Sequence, residues 1–181
     1  MRTQNPQIRT IELFIYIADK LKNVETYGAT MLNKAFYYID NYNYLRTGHP
    51  ITNFTYIKQD HGPTPNPYQF LSLKEKLISE GKIYEESKDH HGYIQRKCLT
   101  SLKANTSVFD ENEMELIDNL LNELKGYNAS ELSEITHTHP SWQIAMDKEE
   151  LPFYSFFVTK VEPGDEDIDW AIQEIELYET V

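Results

Sequence analysis

Residues 29–99 read ATMLNKAFYYIDNYNYLRTGHPITNFTYIKQDHGPTPNPYQFLSLKEKLISEGKIYEESKDHHGYIQRKCL. Leu32, Ala35, Phe36, Ile39, Tyr42 and Leu45 recur at helical spacing. Gly48 and Pro50 then stop that helix. FTYIKQ, residues 54–59, is aromatic and β-branched and predicts a short strand. HGPTPNP, residues 61–67, holds three prolines and a glycine. That composition suits an ordered loop, and neither a helix interior nor a central strand. Asn66 and Pro67 open the next helix, Asn as the cap and Pro in the first turn. Phe70, Leu73 and Leu77 lie along it, Leu71 and Ile78 beside them, and Gly81 closes it. Two strand-like runs, Ile83 to Glu86 and Tyr93 to Leu99, flank a polar loop ending in Gly92 and predict a β-hairpin. Helix, strand, helix, hairpin is the order of a winged helix.

Working outward, Ile11, Phe14, Ile15, Ala18 and Leu21 predict an amphipathic helix over Gln7 to Asn23. Downstream, Asp110 with Glu113 and Asn128 with Glu131 are capping-box pairs that open two further helices. The first carries Met114, Ile117, Leu120, Leu121 and Leu124; the second runs through Ile135. Pro140 opens a short helix containing Trp142, Ile144 and Met146. LPFYSFFVTKVEPGDE, from Leu151, predicts an extended aromatic piece and a turn. Ile168, Ala171, Ile172, Ile175 and Tyr178 then form a stripe on an acidic helix, Asp165 to Tyr178, whose first turn suits the helix dipole. The fold class expected is α+β, mostly helical, with one small antiparallel sheet. Residues 8–150 form the expected domain, and residues 151–181 an aromatic segment and acidic helix.

At 181 residues the chain can bury a core without staples. Its single cysteine, Cys98, excludes an internal disulfide and a cysteine-rich zinc site. No apolar run approaches the length of a membrane span, and residues 1–10 lack a signal-peptide stretch, so a cytoplasmic protein is expected. The net charge of −12 disfavours nucleic acid and acidic membranes. Eight acidic residues and no Lys or Arg lie in residues 161–181, which leaves −4 for the rest. Within the hairpin region, Lys82, Lys88, Arg96, Lys97 and Lys103 stand against Glu85, Glu86 and Asp89. That small positive excess is the one hint of a phosphate-tracking wing, and an ordinary solvated hairpin explains it at least as well.

Candidate chemistry is sparse. His137 and His139 sit two apart, a spacing that suits a metal only on a strand, and a helix junction is expected there. His90 and His91 fall at the hairpin tip, and His49 and His61 in loops. Asp60 beside His61 invites an acid–base reading, but neighbours in a turn commonly bond their own backbone. Cys98 reads as strand filler. Phosphate-loop, serine-hydrolase, zinc-protease and dinucleotide motifs are missing. No catalytic residue, metal or cofactor is expected.

Three stretches in order resemble the Panacea domain, the antitoxin family typified by SocA, which also takes in phage-associated GepA-like proteins. They are LNKAFYYIDNYNYLRTGHPI (residues 32–51), FTYIKQDHGPTPNPYQFL (54–71) and LSEITHTHPSWQIA (132–145). The chain departs from the family pattern in Ser141 between Pro140 and Trp142, and in Ala35 and Phe36 within a usually more aliphatic stretch. The resemblance implies a non-enzymatic protein that neutralises a cognate toxin by binding it, the toxin usually encoded alongside. It implies motif positions at Lys34, Gly62, Pro63, Thr136, His137 and Trp142, as structural or toxin-binding residues. Lys34 is expected to project from its helix, and Thr136, His137 and a buried Trp142 to lock a helical corner. Trp170, off the apolar stripe of the acidic helix, is a further candidate toxin contact. The alternative is a winged-helix DNA-binding regulator of phage or mobile-element origin.

Overall fold

A computed structural model describes residues 5–90 and 92–158. Helix α1 spans Pro6–Leu21, with Pro6 in its first turn and the Asn5 side chain accepting from the Gln7 N–H. Helix α2 spans Ala29–Thr47 and ends on Gly48 at φ 77°, whose N–H bonds the Tyr44 carbonyl. Strand β1 is Tyr56–Ile57 and β2 is Thr64–Pro65. Helix α3, Pro67–Ser79, is capped by Asn66 as expected. The hairpin is β3, Tyr84–His90, and β4, Tyr93–Leu99. Helices α4, Glu111–Leu124, and α5, Ala129–His137, each begin with a complete capping box. Helix α6 is the short Pro140–Ile144. The chain is mostly helical α+β, as the periodicities predict.

Helix α2 is the axis of the molecule. Residues 34–41 are buried without a break, so it is enclosed rather than laid on one face. It packs against α1, α4, α5, β2 and β4. Phe14, Phe36, Phe54 and Phe70 meet at its side, with ring centroids 5.3–6.2 Å apart. Offset and edge-on contacts of this kind add to the area that the rings bury.

Within α2 sits a buried acid, Asp40. Its Oδ1 accepts from the Ile51 and Thr52 N–H groups, each at 2.8 Å. Its Oδ2 accepts from the Thr52 hydroxyl and from Tyr56 Oη at 2.6 Å. Burial nonetheless pushes its carboxyl above the usual carboxylate range, and the hydrogen bonds pull against that shift. Asp40 thus ties the chain leaving α2 to β1.

Two expectations change on contact with the structure. The sheet is two separate two-stranded antiparallel ribbons, β1–β2 and β3–β4. The first recruits Thr64 and Pro65 out of the proline-rich loop, with Tyr56 opposite Pro65. Pro65 lies on a ribbon edge, where a missing N–H costs no ladder bond. On its other side β1 bonds residues 149–151, through Lys58 N to Glu149 O and Leu151 N to Tyr56 O. The second change is at residues 153–157, which form a 3₁₀ turn instead of an extended piece. A repeat of three puts Phe153 and Phe156 on one side. There Phe153 stacks on Tyr44 at 5.2 Å, and Phe156 joins Tyr37, Tyr38, Tyr42 and His139. The acidic helix expected at Asp165 to Tyr178, Trp170 with it, and His91 all lie outside the described residues. No helix among the described residues is long and apolar enough to cross a membrane.

Candidate binding site

The turn between β1 and β2 lies over the second turn of α2. Gly62 is at φ 91°, a left-handed conformation that favours glycine. Its N–H bonds the Gln59 carbonyl at 2.9 Å, closing the turn. Its backbone passes so close to α2 and α5 that a Cβ there would stand 2.4 Å from Lys34 Nζ and 2.2 Å from Thr136 Oγ1. Lys34 Nζ donates to the Pro63 carbonyl at 3.0 Å. Thr136 Oγ1 donates back to its own helix, to the carbonyls of Leu132 and Ser133.

The neighbouring residue, His137, stacks on Trp142 with ring centroids 4.0 Å apart and planes 17° from parallel. Trp142 Nε1 donates to the Gln59 carbonyl at 3.2 Å. Lys58 Nζ lies 4.3 Å from the centre of the Trp142 ring and donates to the Ala145 carbonyl at 2.8 Å. His137 is hydrogen-bonded to the backbone of Asp60, while its Nε2 is buried without a partner. Lys34, Gly62, Pro63, Thr136, His137 and Trp142 therefore form one continuous corner, built from α2, the β1–β2 turn, α5 and α6.

Lys34 projects from α2 into the core and is fully buried, because the turn carrying Gly62 and Pro63 folds over it. The expectation of a buried Trp142 is met only in part. Trp142 is half-buried, layered between His137 and Lys58, with its Nε1 turned inward. Trp142→Ala is accordingly expected to cost about 1–3 kcal/mol, less than a fully enclosed tryptophan. Urea denaturation would check this; a loss above that range would mean that the ring anchors the whole corner.

Burial holds the Lys34 ammonium down to a pKa of about 7. His137 and His139 are also lowered, first by their own burial and then by the Lys34 charge. The unfolded chain thus binds a proton at Lys34 that the folded chain gives up between about pH 7 and the usual lysine range. Stability should rise with pH across that window, by at most ~1.4 kcal/mol per pH unit from this residue. Tyr27 and Cys98, raised by burial, pull the other way above their ordinary ranges. The difference between the parent and Lys34→Met isolates the lysine. Parallel stability–pH curves for the two proteins would contradict the depressed ammonium.

The other candidates separate. His139 packs on Tyr37, Tyr38 and Phe156, away from the His137–Trp142 stack. Asp60 and His61 are both exposed on the turn, and His49 is exposed beyond α2. Cys98 is buried in β4, raised to about 11 by burial. Among the described residues no group of three or more His, Cys, Asp or Glu is placed to hold a metal. Asp40 and Lys58 were not singled out in the sequence. An acid between Ile39 and Asn41 in the middle of an apolar stripe was the available signal for the first. The second had none, because its partner ring is distant in the chain.

A family model described as "Antitoxin SocA-like, Panacea domain" matches residues 32–143. The chain belongs to this family. The matched span contains all six corner residues. Neither the comparison with curated proteins nor that with solved structures produced a match.

Proposed function

We propose that this Panacea-domain protein is an antitoxin that neutralises a cognate toxin by direct protein–protein binding and catalyses no reaction itself. Membership of the antitoxin family carries this reading. The corner geometry supports it. Lys34, Gly62, Thr136 and Trp142 are spent on one another and on backbone carbonyls, which suits a rigid scaffold. Next to the corner, Ile144 and Met146 are each about three-quarters exposed, at 75% and 74%. Large apolar groups held out beside a rigid element make a good contact surface, and methionine adapts to varied partners. Trp142, half-buried beside these two residues, is a candidate toxin contact through the part of its ring that stays exposed. Trp170 is retained as a second contact, steered by the acidic tail. We place the protein in the cytoplasm with its toxin, encoded in the adjacent gene.

The DNA-binding alternative loses ground at the hairpin. Lys97 Nζ donates to the Val24 carbonyl, Lys82 pairs with Glu80, and Lys103 pairs with Asp19. Among the described residues, Lys88 and Arg96 are left to meet phosphate, too few for a wing to hold against a −12 chain.

Co-expression with the adjacent gene product tests the proposal. Growth should be rescued, and the two proteins should co-purify. Rescue with no detectable complex would reject direct neutralisation, and DNA binding at the operon's own promoter would then favour the regulator.

A further inference from the structure

Beside the buried lysine lies a cavity of about 250 Å³. Its walls are the first turns of α2, with Thr30, Asn33 and Lys34, and the β1–β2 turn, with Gln59, His61 and Thr64. We infer that this cavity is a binding site for a carboxylate group. The inference stands apart from the antitoxin reading and would hold for a chain of any other function.

Charge is the first reason. Lys34 is fully buried, and its acceptor among the described residues is one neutral carbonyl, that of Pro63. It forms no salt bridge among the described residues. The titratable groups that feel its charge, His137 and His139, are themselves bases. A buried ammonium without a counter-ion is costly, and it is ordinarily paired. Lys34 forms part of the cavity wall, so a turn of its side chain would bring the ammonium to a space in which a pair could form.

The second reason is an unused hydroxyl. Thr64 Oγ1 is buried in the same wall and has no hydrogen-bond partner. Buried hydroxyls are normally satisfied, so an orphan on a residue of the cavity wall marks a position for an acceptor. The N-terminus of α2 opens on the same space, and Gly28 gives it no side-chain cap, so its partial positive charge adds to that of Lys34.

The cavity also selects among anions. It offers one buried cation, and Asp60 sits exposed in the wall as a like charge to anything entering. One negative charge is matched there and two are not. A carboxylate fits better than a phosphate dianion. The carboxylate could belong to a small free acid or to an acidic side chain of another protein; both present the same two oxygens.

The full chain titrated with sodium acetate at about pH 6, where both the lysine and acetate are ionised, and followed by backbone amide NMR, provides the test. Sodium chloride at equal ionic strength is the reference. Saturable shifts at Thr30, Asn33 and Thr64 that chloride does not reproduce are expected. They should vanish in Lys34→Met and persist in Lys103→Met, at an exposed lysine outside the cavity wall. If Lys34→Met fails to fold, Thr64→Val, which keeps the shape, should weaken acetate binding about tenfold. N-acetyl-aspartate methylamide distinguishes the source: binding at least as tight as acetate points to a protein side chain, and binding of acetate alone to a small free acid. Shifts no larger than those with chloride, or shifts undiminished in both Lys34→Met and Thr64→Val, would overturn the assignment. Sulfate, which carries two charges throughout this range, binding more tightly than acetate would overturn the selectivity for a single charge.

Discussion

Gly62→Ala is expected to lower folding stability by about 2–5 kcal/mol. Two costs add. An L-residue in the left-handed region costs about 1–2 kcal/mol, and Gly62 holds φ 91°. The new methyl would also sit 2.2 Å from Thr136 Oγ1 and 3.2 Å from Thr136 Cβ. Thr136 is fully buried and bonded to its own helix, so it cannot swing aside without losing those bonds. Forcing a group into a packed site costs about 1–3 kcal/mol. Gly48→Ala is the control. Gly48 has a similar φ of 77° but nothing within 4 Å of its Cβ position, so it should cost only ~1 kcal/mol. Urea midpoints of the two variants compare them directly. Equal losses would show that backbone conformation, and not the close approach to α2 and α5, makes glycine necessary at position 62.

Asp40→Ala should have an effect of similar size, about 3–5 kcal/mol, by a different route. Its carboxylate gathers four donors in the core: two backbone N–H groups, the Thr52 hydroxyl and the Tyr56 phenol. Removing it leaves the two backbone N–H groups buried without an acceptor and takes the shared acceptor from both hydroxyls, and an unmade buried hydrogen bond costs more than a made one contributes. Asp40→Asn is milder, at about 1–2 kcal/mol, because both hydroxyls facing the new amide can turn to accept from it. Denaturation of both variants, with the melting of Tyr56→Phe as a third point, should give Ala well below Asn. If Asp40→Ala lies within ~1 kcal/mol of the parent, Asp40 is not the tie between α2 and β1.

These two residues also divide what could be read from what could not. Helix boundaries were legible wherever a local group caps a local orphan. Asn66 before Pro67, the two capping boxes and Gly48 each do their work within four residues, so their signals survive in one dimension. The hairpin was legible for the same reason. The three motif stretches were legible as a resemblance, and the family match over residues 32–143 agrees with it.

Other features depended on segments far apart in sequence. A strand of two residues, Thr64–Pro65, carries no periodicity, and it exists because Tyr56–Ile57 lies alongside it. Residues 153–157 alternate poorly as a strand, yet only the placement of Tyr44 and Tyr37 made a repeat of three the better way to bury Phe153 and Phe156. The sequence has Lys34 project from its helix but does not say into what. The turn over it and α5 beside it bury the side chain and thereby set the lysine's ionisation. By itself, the sequence determined the helices of the described residues, the caps at Gly48, Asn66, Asp110 and Asn128, the hairpin and the family, because each rests on neighbours in the chain or on a pattern of residues in order. The tertiary structure alone decided that Lys34, Gly62, Thr136 and Trp142 share one corner and that a cavity opens beside the buried charge, because burial and electrostatics depend on distance in space.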